Sequence, residues 1–135
     1  MPSSPPTLSD RLRRGELRDV HCPSRDVLKH VSSLWGVLCL ICLQDGALRF
    51  SEIRRRASGV SEKMLAQTLR QLEEDGFVHR RDFATVPPHV EYSLTALGGE
   101  VAAHVATLAD WIETNLPAIM VHKRDRQTME SPGLP

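Results

Sequence analysis

The sequence lacks the features that mark several large protein classes. No apolar run approaches the roughly 20 residues that cross a bilayer, and the opening MPSSPPTLSD has neither the basic nor the apolar region of a secretory signal. Three cysteines in 135 residues are too few for the disulfide framework of a small secreted protein. We therefore expect an ordinary soluble, cytoplasmic protein with reduced thiols and no membrane contact.

Motifs for catalysis and for metal or cofactor binding are also missing. The chain contains no Gly-rich phosphate loop, no nucleophile elbow and no paired carboxylates. Its six histidines follow no spacing typical of metal ligands. An enzyme is the least supported class, and we expect neither a metal nor a cofactor.

Charge is balanced overall but unevenly distributed. The formal net charge of zero argues against a non-specific polyanion binder. Between Arg49 and Arg81, however, eight Arg and Lys residues stand against five Asp and Glu residues, a local excess of three positive charges. This basic segment is the candidate DNA-contacting part of the chain.

The segment from residue 49 to 94 predicts two short helices joined by a tight turn. Ser51 is expected to cap a supporting helix that ends at Ala57, and Ser61 a second helix that Gly76 terminates. In the second helix three leucines at i, i+4 and i+7 spacing predict a core-facing stripe: Leu65, Leu69 and Leu72.

A hairpin is predicted to follow the second helix. FVHRRDF and VEYSL have the composition of strands, and ATVPPH joins them, its double proline stiffening the tip. Helix, turn, helix and hairpin in this order are what is needed to hold a helix in the DNA major groove with a β-wing beside it.

The polar residues of this unit are candidate DNA contacts. Gln67 can read adenine and Arg70 can read guanine, whereas the arginines of the first helix and of the wing are expected to contact phosphates or a minor groove. Each residue alone is more often an ordinary solvated side chain of an α+β domain, but the order of elements favours DNA. The predicted DNA-contacting residues are Arg49, Ser51, Arg54, Arg55, Ser61, Lys63, Met64, Gln67, Thr68, Arg70, Arg80, Arg81 and His89.

Further helices are predicted on either side. After Pro23, Ser24 is expected to cap a helix that buries four apolar side chains, namely Val27, Leu28, Val31 and Leu34. WGVLCLICLQDG predicts a buried central helix that stops at Gly46. A long helix is expected from Leu97 to about Asn115, with Pro117 marking its end and a polar tail beyond.

Four separated motifs, CPSRDVLKHVSSLWGVLCL, RFSEIRRRASGVSEKML, LRQLEEDGFVHR and VPPHVEYSLTALG, resemble the HxlR family of bacterial regulators, most of all its YtfH-like members. The resemblance implies a mainly α fold with a small antiparallel β-wing, a winged helix-turn-helix that dimerises through its N- and C-terminal helices. It covers residues 8–120, leaving a flexible arm at 1–7 and a polar tail at 121–135. The chain departs from the family at Leu34, where a basic residue usually precedes the tryptophan.

The resemblance further implies homodimers on palindromic operators near the regulated promoter. Apolar residues at Leu8 and Leu12 and along the long helix from Leu97 to Ile112 suit the dimer contacts, although packing within one subunit explains them too. The predicted interface residues are Leu8, Leu12, Leu97, Val101, Val105, Leu108, Trp111 and Ile112.

Cys22 is the candidate sensing residue. It stands beside Pro23 at a helix start with cations nearby in sequence, a setting that lowers the pKa of a thiol. The resemblance places a redox- or electrophile-sensing cysteine in this Cys-Pro motif, with an inert, partly buried cysteine as the alternative. Cys39 and Cys42 lie in an apolar run and are expected in the core. With no cysteine after residue 42, Cys22 would pair with Cys22 of a second subunit or be alkylated directly.

The sequence thus predicts a DNA-binding regulator, more simply a repressor than an activator. The resemblance implies that it acts as a homodimer and that a thiol-reactive small molecule releases it from double-stranded operator DNA. Two alternatives stay open. A non-covalent ligand in a pocket between the long helix and the core could gate the regulator, or the winged helix could serve as a protein–protein interaction module.

Overall fold

The computed structural model describes residues 4–130, so part of the expected arm and of the expected tail lies outside the described residues. Within this range six α-helices surround a small sheet. The helices are α1 Leu8–Arg13, α2 Pro23–Ser32, α3 Leu34–Cys42, α4 Phe50–Arg56, α5 Glu62–Glu74 and α6 Ala96–Glu130, with a 3-10 turn at Leu43–Asp45 after α3. The strands are β1 Leu48–Arg49, β2 Val78–Asp82 and β3 Val90–Leu94.

The sheet is antiparallel with the order β1-β3-β2. β2 and β3 form the predicted hairpin, in which Arg80 lies opposite Tyr92. β1, which was not predicted, pairs with the other edge of β3 and places Leu48 opposite Tyr92. It ties the start of α4 to the wing.

The core forms around α3, which contacts α2, α5 and α6 and is the buried central helix that the sequence predicts. α3 begins after its N-cap Ser33, whose Oγ accepts a hydrogen bond from the Gly36 N–H at 3.1 Å. The largest fully buried side chains come from α3, the 3-10 turn after it, α4 and α5: Leu40, Leu43, Ile53, Leu65, Leu69 and Leu72.

Two of the predicted helix caps are wrong. α2 begins at Pro23 with Cys22 as its N-cap, because proline suits the first helical position, where its missing N–H costs nothing. α4 begins at Phe50, and the Glu52 carboxylate accepts a hydrogen bond from the Arg49 N–H at 3.0 Å, so Ser51 lies inside the first turn.

The predicted burial of α2 is also only partly correct. Val31 is buried and Val27 is packed against the core, but Leu28 is 48% exposed and Leu34 is 63% exposed. The exposed pair leaves apolar surface on this side of the molecule.

The long helix does not end at Pro117. α6 continues through the proline to Glu130, so residues 121–130 are helical rather than an irregular tail. Proline removes one intrahelical hydrogen bond, but this part of α6 is exposed and water can solvate the freed Glu113 carbonyl. With 35 residues, α6 is about 50 Å long.

No single helix within residues 4–130 has both the length and the hydropathy of a membrane span. Within these residues, the two helices Pro23–Ser32 and Leu34–Asp45 have that length and hydropathy only when taken together, and the angle between them is 68°.

Candidate DNA interface and sensing cysteine

α5 is anchored on one side and exposed on the other. Leu65, Leu69 and Leu72 are 0–1% exposed against the core, as the leucine spacing predicts. The Ser61 Oγ caps the helix by accepting from the Met64 N–H at 3.1 Å, which confirms the predicted start. At its other end Gly76 has a φ of +87°, a backbone conformation that glycine adopts easily. A helix fixed in this way can present its outer face to a groove.

The outer face of α5 carries most of the predicted residues. Lys63, Gln67 and Arg70 are exposed, and Met64 is 41% exposed. Thr68 is not on this face. It is 5% exposed, and its hydroxyl donates to the Met64 carbonyl at 2.8 Å. The burial therefore argues against the predicted DNA contact of Thr68.

Arg54 has a structural partner that the sequence did not predict. Its Nε donates to the Val60 carbonyl at 3.3 Å, and its Nη1 lies 2.9 Å from Glu62 Oε1. Arg54 therefore bridges the turn between α4 and α5 while remaining exposed, and Arg55 beside it is exposed too.

The wing is held together by its own aromatic and charged side chains. The Arg81 guanidinium lies 4.3 Å from the centre of the Phe83 ring, a cation–π geometry. That ring packs edge to face on His89 at 4.6 Å, and His89 Nε2 lies 3.0 Å from Glu91 Oε1. The His89 ring and its Nε2 thus both make contacts within the wing.

Arg49 and Arg80 flank the wing. Arg49 Nη2 donates to the Pro88 carbonyl at 3.5 Å and so reaches across from β1 to the loop between the wing strands. Arg80 is exposed on β2 and shares a cleft with Arg70 of α5. The predicted basic residues therefore converge on α5 and the wing.

Cys22 lies at the N-terminus of α2, 8% exposed but outside the core cluster. Its Sγ makes no capping hydrogen bond of full geometry, yet the backbone N–H of Arg25 is the main cause that lowers the pKa of the thiol. Ser24 and the charge of Arg11 lower the pKa further, against the opposing effect of burial. The lowered pKa raises the share of the reactive thiolate at this position.

The other two cysteines behave differently. Cys39 is fully buried in α3, and burial raises the pKa of its thiol to about 12. Burial also raises the pKa of Cys42, although Arg56 partly opposes it. Both are core residues, as predicted, and all three cysteines are free thiols.

A polar contact links the Cys22 helix to α5. His30 Nδ1, near the end of α2, lies 2.6 Å from Asp75 Oδ2, and both side chains are mostly buried. Asp75 is the C-cap of α5. The two residues are 45 positions apart, and no spacing pattern in the sequence could have paired them.

The predicted dimer stripe divides into two parts. Val105 is 8% exposed and Val101 packs against the core, so these two stabilise the single subunit. Five of the others are exposed, namely Leu12, Leu97, Leu108, Trp111 and Ile112, and Leu8 is half-buried. A groove of about 410 Å³ lies between α3 and α6, lined by residues that include Leu34, Leu38, Leu108 and Ile112.

Within the part of the chain that the structure describes, no three His, Cys, Asp or Glu side chains come together closely enough to hold a metal ion.

Known proteins share this arrangement. The model of the HxlR-like helix-turn-helix family matches residues 30–120. The HTH-type transcriptional regulator YtfH of Escherichia coli is 57% identical over 120 residues, which cover 89% of this chain and 95% of the relative. The structure of the transcriptional regulator ytfH from Salmonella typhimurium is 59% identical, covers 80% of this chain and 96% of its own, and has a TM-score of 0.76.

The redox regulator HypR in its oxidised form is more distant, at 38% identity and a TM-score of 0.64, covering 70% of this chain and 97% of its own. The family model spans well over half of the chain, and the matched residues include α4, α5 and the wing. The chain therefore belongs to the HxlR family and is a DNA-binding transcription regulator with a winged helix-turn-helix fold.

Proposed function

We propose that this protein is a cytoplasmic repressor that binds a palindromic operator as a homodimer and leaves the DNA when oxidants or electrophiles modify Cys22. The observation that carries the DNA-binding part is α5, buried along its leucine stripe while Lys63 and Gln67 stay exposed beside a basic wing. Repression requires only that the protein occupy a promoter, whereas activation also requires a contact that recruits polymerase.

The homodimer is supported by the exposed apolar side chains of α6. Leu108, Trp111 and Ile112 are 55%, 59% and 44% exposed and form one continuous patch, and such patches commonly mark interfaces. The second half of α6 lies along no other described element, although Met120 and Val121 are also apolar. A second copy would cover both regions, and its two-fold axis would match a palindromic operator.

The sensing role is supported by the lowered pKa of Cys22 and by the similarity to HypR, which is named a redox regulator. With diamide as oxidant, two Cys22 thiols of a dimer lose two protons and two electrons and form one disulfide. The azo bond of diamide takes up both and becomes a hydrazine. An electrophile such as a quinone would instead add a single Cys22 sulfur to one carbon of its ring C=C bond, and the thiol proton would pass to the quinone, which becomes a thioether-substituted hydroquinone.

α2 offers a route from the thiol to the DNA-contacting helix. Cys22 is the N-cap residue of α2, and His30 near the other end of α2 contacts Asp75, the C-cap of α5. A modification that displaces the start of α2 would move His30 relative to Asp75 and so tilt α5. The change in α5 orientation would weaken its fit to the operator.

The test compares the wild-type protein with Cys22→Ser. The probe is a duplex that the wild-type protein selects from a random-sequence library, here called the selected duplex, and binding is measured by fluorescence anisotropy with and without diamide. We expect both proteins to bind the selected duplex equally well, and only the wild type to be released by diamide.

A Cys42→Ala variant is the matched control, because its thiol has a raised pKa and should not contribute. It should respond like the wild type. Release of Cys22→Ser by diamide would refute the sensing role, and failure of the wild type to enrich any sequence would refute sequence-specific DNA binding and favour a protein–protein interaction module.

One observation favours a second candidate mechanism. The apolar groove between α3 and α6, about 410 Å³ in volume, could hold a small apolar ligand that gates the regulator without covalent chemistry. In that case diamide, which acts on thiols, would release neither the wild type nor Cys22→Ser from the selected duplex.

A further inference from the structure

A cleft of about 300 Å³ separates α5 from the wing, and two arginines line it. Arg70 comes from α5 and Arg80 from β2, and the remaining lining residues are Ala66, Glu73 and Tyr92. Neither arginine forms an ion pair with a carboxylate within residues 4–130. The cleft therefore offers two unpaired guanidinium groups to a ligand.

The position of Arg70 around α5 differs from that of Gln67. At about 100° per residue, Arg70 lies about 60° from Gln67, on the side where Ala66 and Glu73 face the cleft. Arg70 thus points between the helix and the wing, whereas Gln67 points away from the core. The two side chains would meet different parts of a duplex.

The sheet supplies the other wall of the cleft. Arg80 lies directly opposite Tyr92 in the antiparallel pair, which places both side chains on one face of the sheet. The small side chain of Ala66 leaves the space between the walls open. A guanidinium from each wall and the Tyr92 hydroxyl can then converge on one anion.

The chemistry of the cleft fits a phosphate group. Guanidinium groups bind phosphate oxygens through paired N–H donors, and two of them outweigh the single Glu73 carboxylate. When α5 enters a major groove with the wing beside it, the backbone of one strand passes between the two. The cleft therefore lies where a phosphate passes.

We infer that Arg70 and Arg80 together clamp one backbone phosphate, so that Arg70 fixes the position of α5 on the duplex rather than reading guanine. This inference rests on the proposed DNA binding and identifies the part of the DNA that the cleft holds. Glu73 repels the phosphate and keeps the clamp from binding DNA of any sequence too tightly.

The test measures affinity for the selected duplex, for a scrambled duplex of equal length and for single-base-pair variants of the selected duplex. Each is titrated between 50 and 200 mM salt, a range in which phosphate contacts have a strong effect. Arg70→Ala and Arg80→Ala should each weaken binding to the selected and scrambled duplexes by the same factor, about tenfold. Each should also lower the slope of log affinity against log salt by about one for every subunit bound.

Gln67→Ala is the matched control, because it lies one turn away on the outward face. It should change the preference at one base position and leave the salt slope unchanged. Because the two arginines share one phosphate, the loss in the double variant Arg70→Ala/Arg80→Ala should be smaller than the product of the single losses. Glu73→Gln should strengthen binding to both duplexes.

An Arg70→Ala variant that alters the preference at a base pair while keeping the wild-type salt slope would overturn the inference and restore Arg70 as a base-reading residue. Additive losses for the two arginines would also overturn it. A wild-type protein that enriches no sequence from the library and does not bind the scrambled duplex would instead refute the proposed DNA binding, so the two failures are distinguishable. Circular dichroism of each variant confirms that the exposed substitutions leave the fold intact.

Discussion

Gly98 allows α6 to touch the junction between α5 and the wing, and replacing it with alanine should destabilise the protein. A Cβ atom at this position would lie 1.9 Å from the Phe77 carbonyl oxygen and 2.8 Å from its carbon. The approach is fixed by Thr95, whose N–H donates to the Phe77 carbonyl at 3.0 Å and whose hydroxyl donates to the Gly76 carbonyl at 2.6 Å. Backbone therefore faces backbone, and no side chain can move aside.

The next residue provides the matched control. A Cβ atom on Gly99 would meet nothing within 4 Å, so Gly99→Ala should raise the free energy of unfolding by up to about 1 kcal/mol through helix propensity alone. Gly98→Ala has the same propensity gain, but it must displace the Phe77 backbone. Overpacking costs about 1–3 kcal/mol, and overlap with a backbone group should reach the upper end, so we expect a net loss of about 2 kcal/mol.

Urea unfolding followed by far-UV circular dichroism measures both changes. Protein concentration must be equal in all samples, because the stability of a dimer depends on it. We expect the midpoint of Gly98→Ala to fall and that of Gly99→Ala to rise. If the two variants are equally stable, the close approach of α6 to Phe77 and the reasoning from it are wrong.

Two further predictions concern the dimer and the thiols. Ile112→Glu should shift the protein to monomer in size-exclusion chromatography with light scattering. Thr114→Glu, about 200° away around α6, should leave the dimer intact. A dimeric Ile112→Glu variant would show that this face of α6 is not the dimer interface. Iodoacetamide at pH 7 should label Cys22 faster than Cys39 and Cys42, because only thiolates react and the pKa is lowered at Cys22 but raised at the other two, to about 12 at Cys39. Equal labelling of all three in the native protein, measured by peptide mass spectrometry, would contradict the difference in pKa.

Periodic features of the fold were predictable from the sequence. The leucines of α5 repeat with the helical period, and burial follows from that repeat whatever the neighbouring elements are. Ser61 and Gly76 mark the two ends of this helix correctly, because no other residue nearby competes for either role. The wing strands were likewise predicted to within two residues.

Local signals misled where two of them competed. Pro23 and Ser24 each suit a helix start, and the proline took the first helical position, so the cap moved to Cys22. The Arg49 N–H donates to the Glu52 carboxylate, so α4 begins before Ser51 and Arg49 is the N-cap in its place. Pro117 lies inside α6 because exposure to water, which a residue pattern does not reveal, reduces the cost of the lost hydrogen bond.

Contacts between distant residues could not be predicted. His30 and Asp75 carry no sign of each other in the sequence, and neither do β1 and β3. Arg54 is a basic residue of the kind that contacts DNA, but its side chain bridges the turn between α4 and α5. In each case the packing of whole helices decides which polar groups meet.

These contacts also narrow the set of side chains that can read bases. Thr68 is buried, Arg54 bonds to the turn and His89 contacts Phe83 and Glu91 within the wing, and Arg70 lines the cleft with Arg80. Three of the predicted contacts remain exposed on the outer face of α5: Lys63 can donate, Gln67 can donate and accept, and Met64 is apolar. Gln67 alone among them can pair bidentately with adenine, so we expect each half-site to contain one adenine whose replacement weakens wild-type binding and leaves Gln67→Ala binding unchanged.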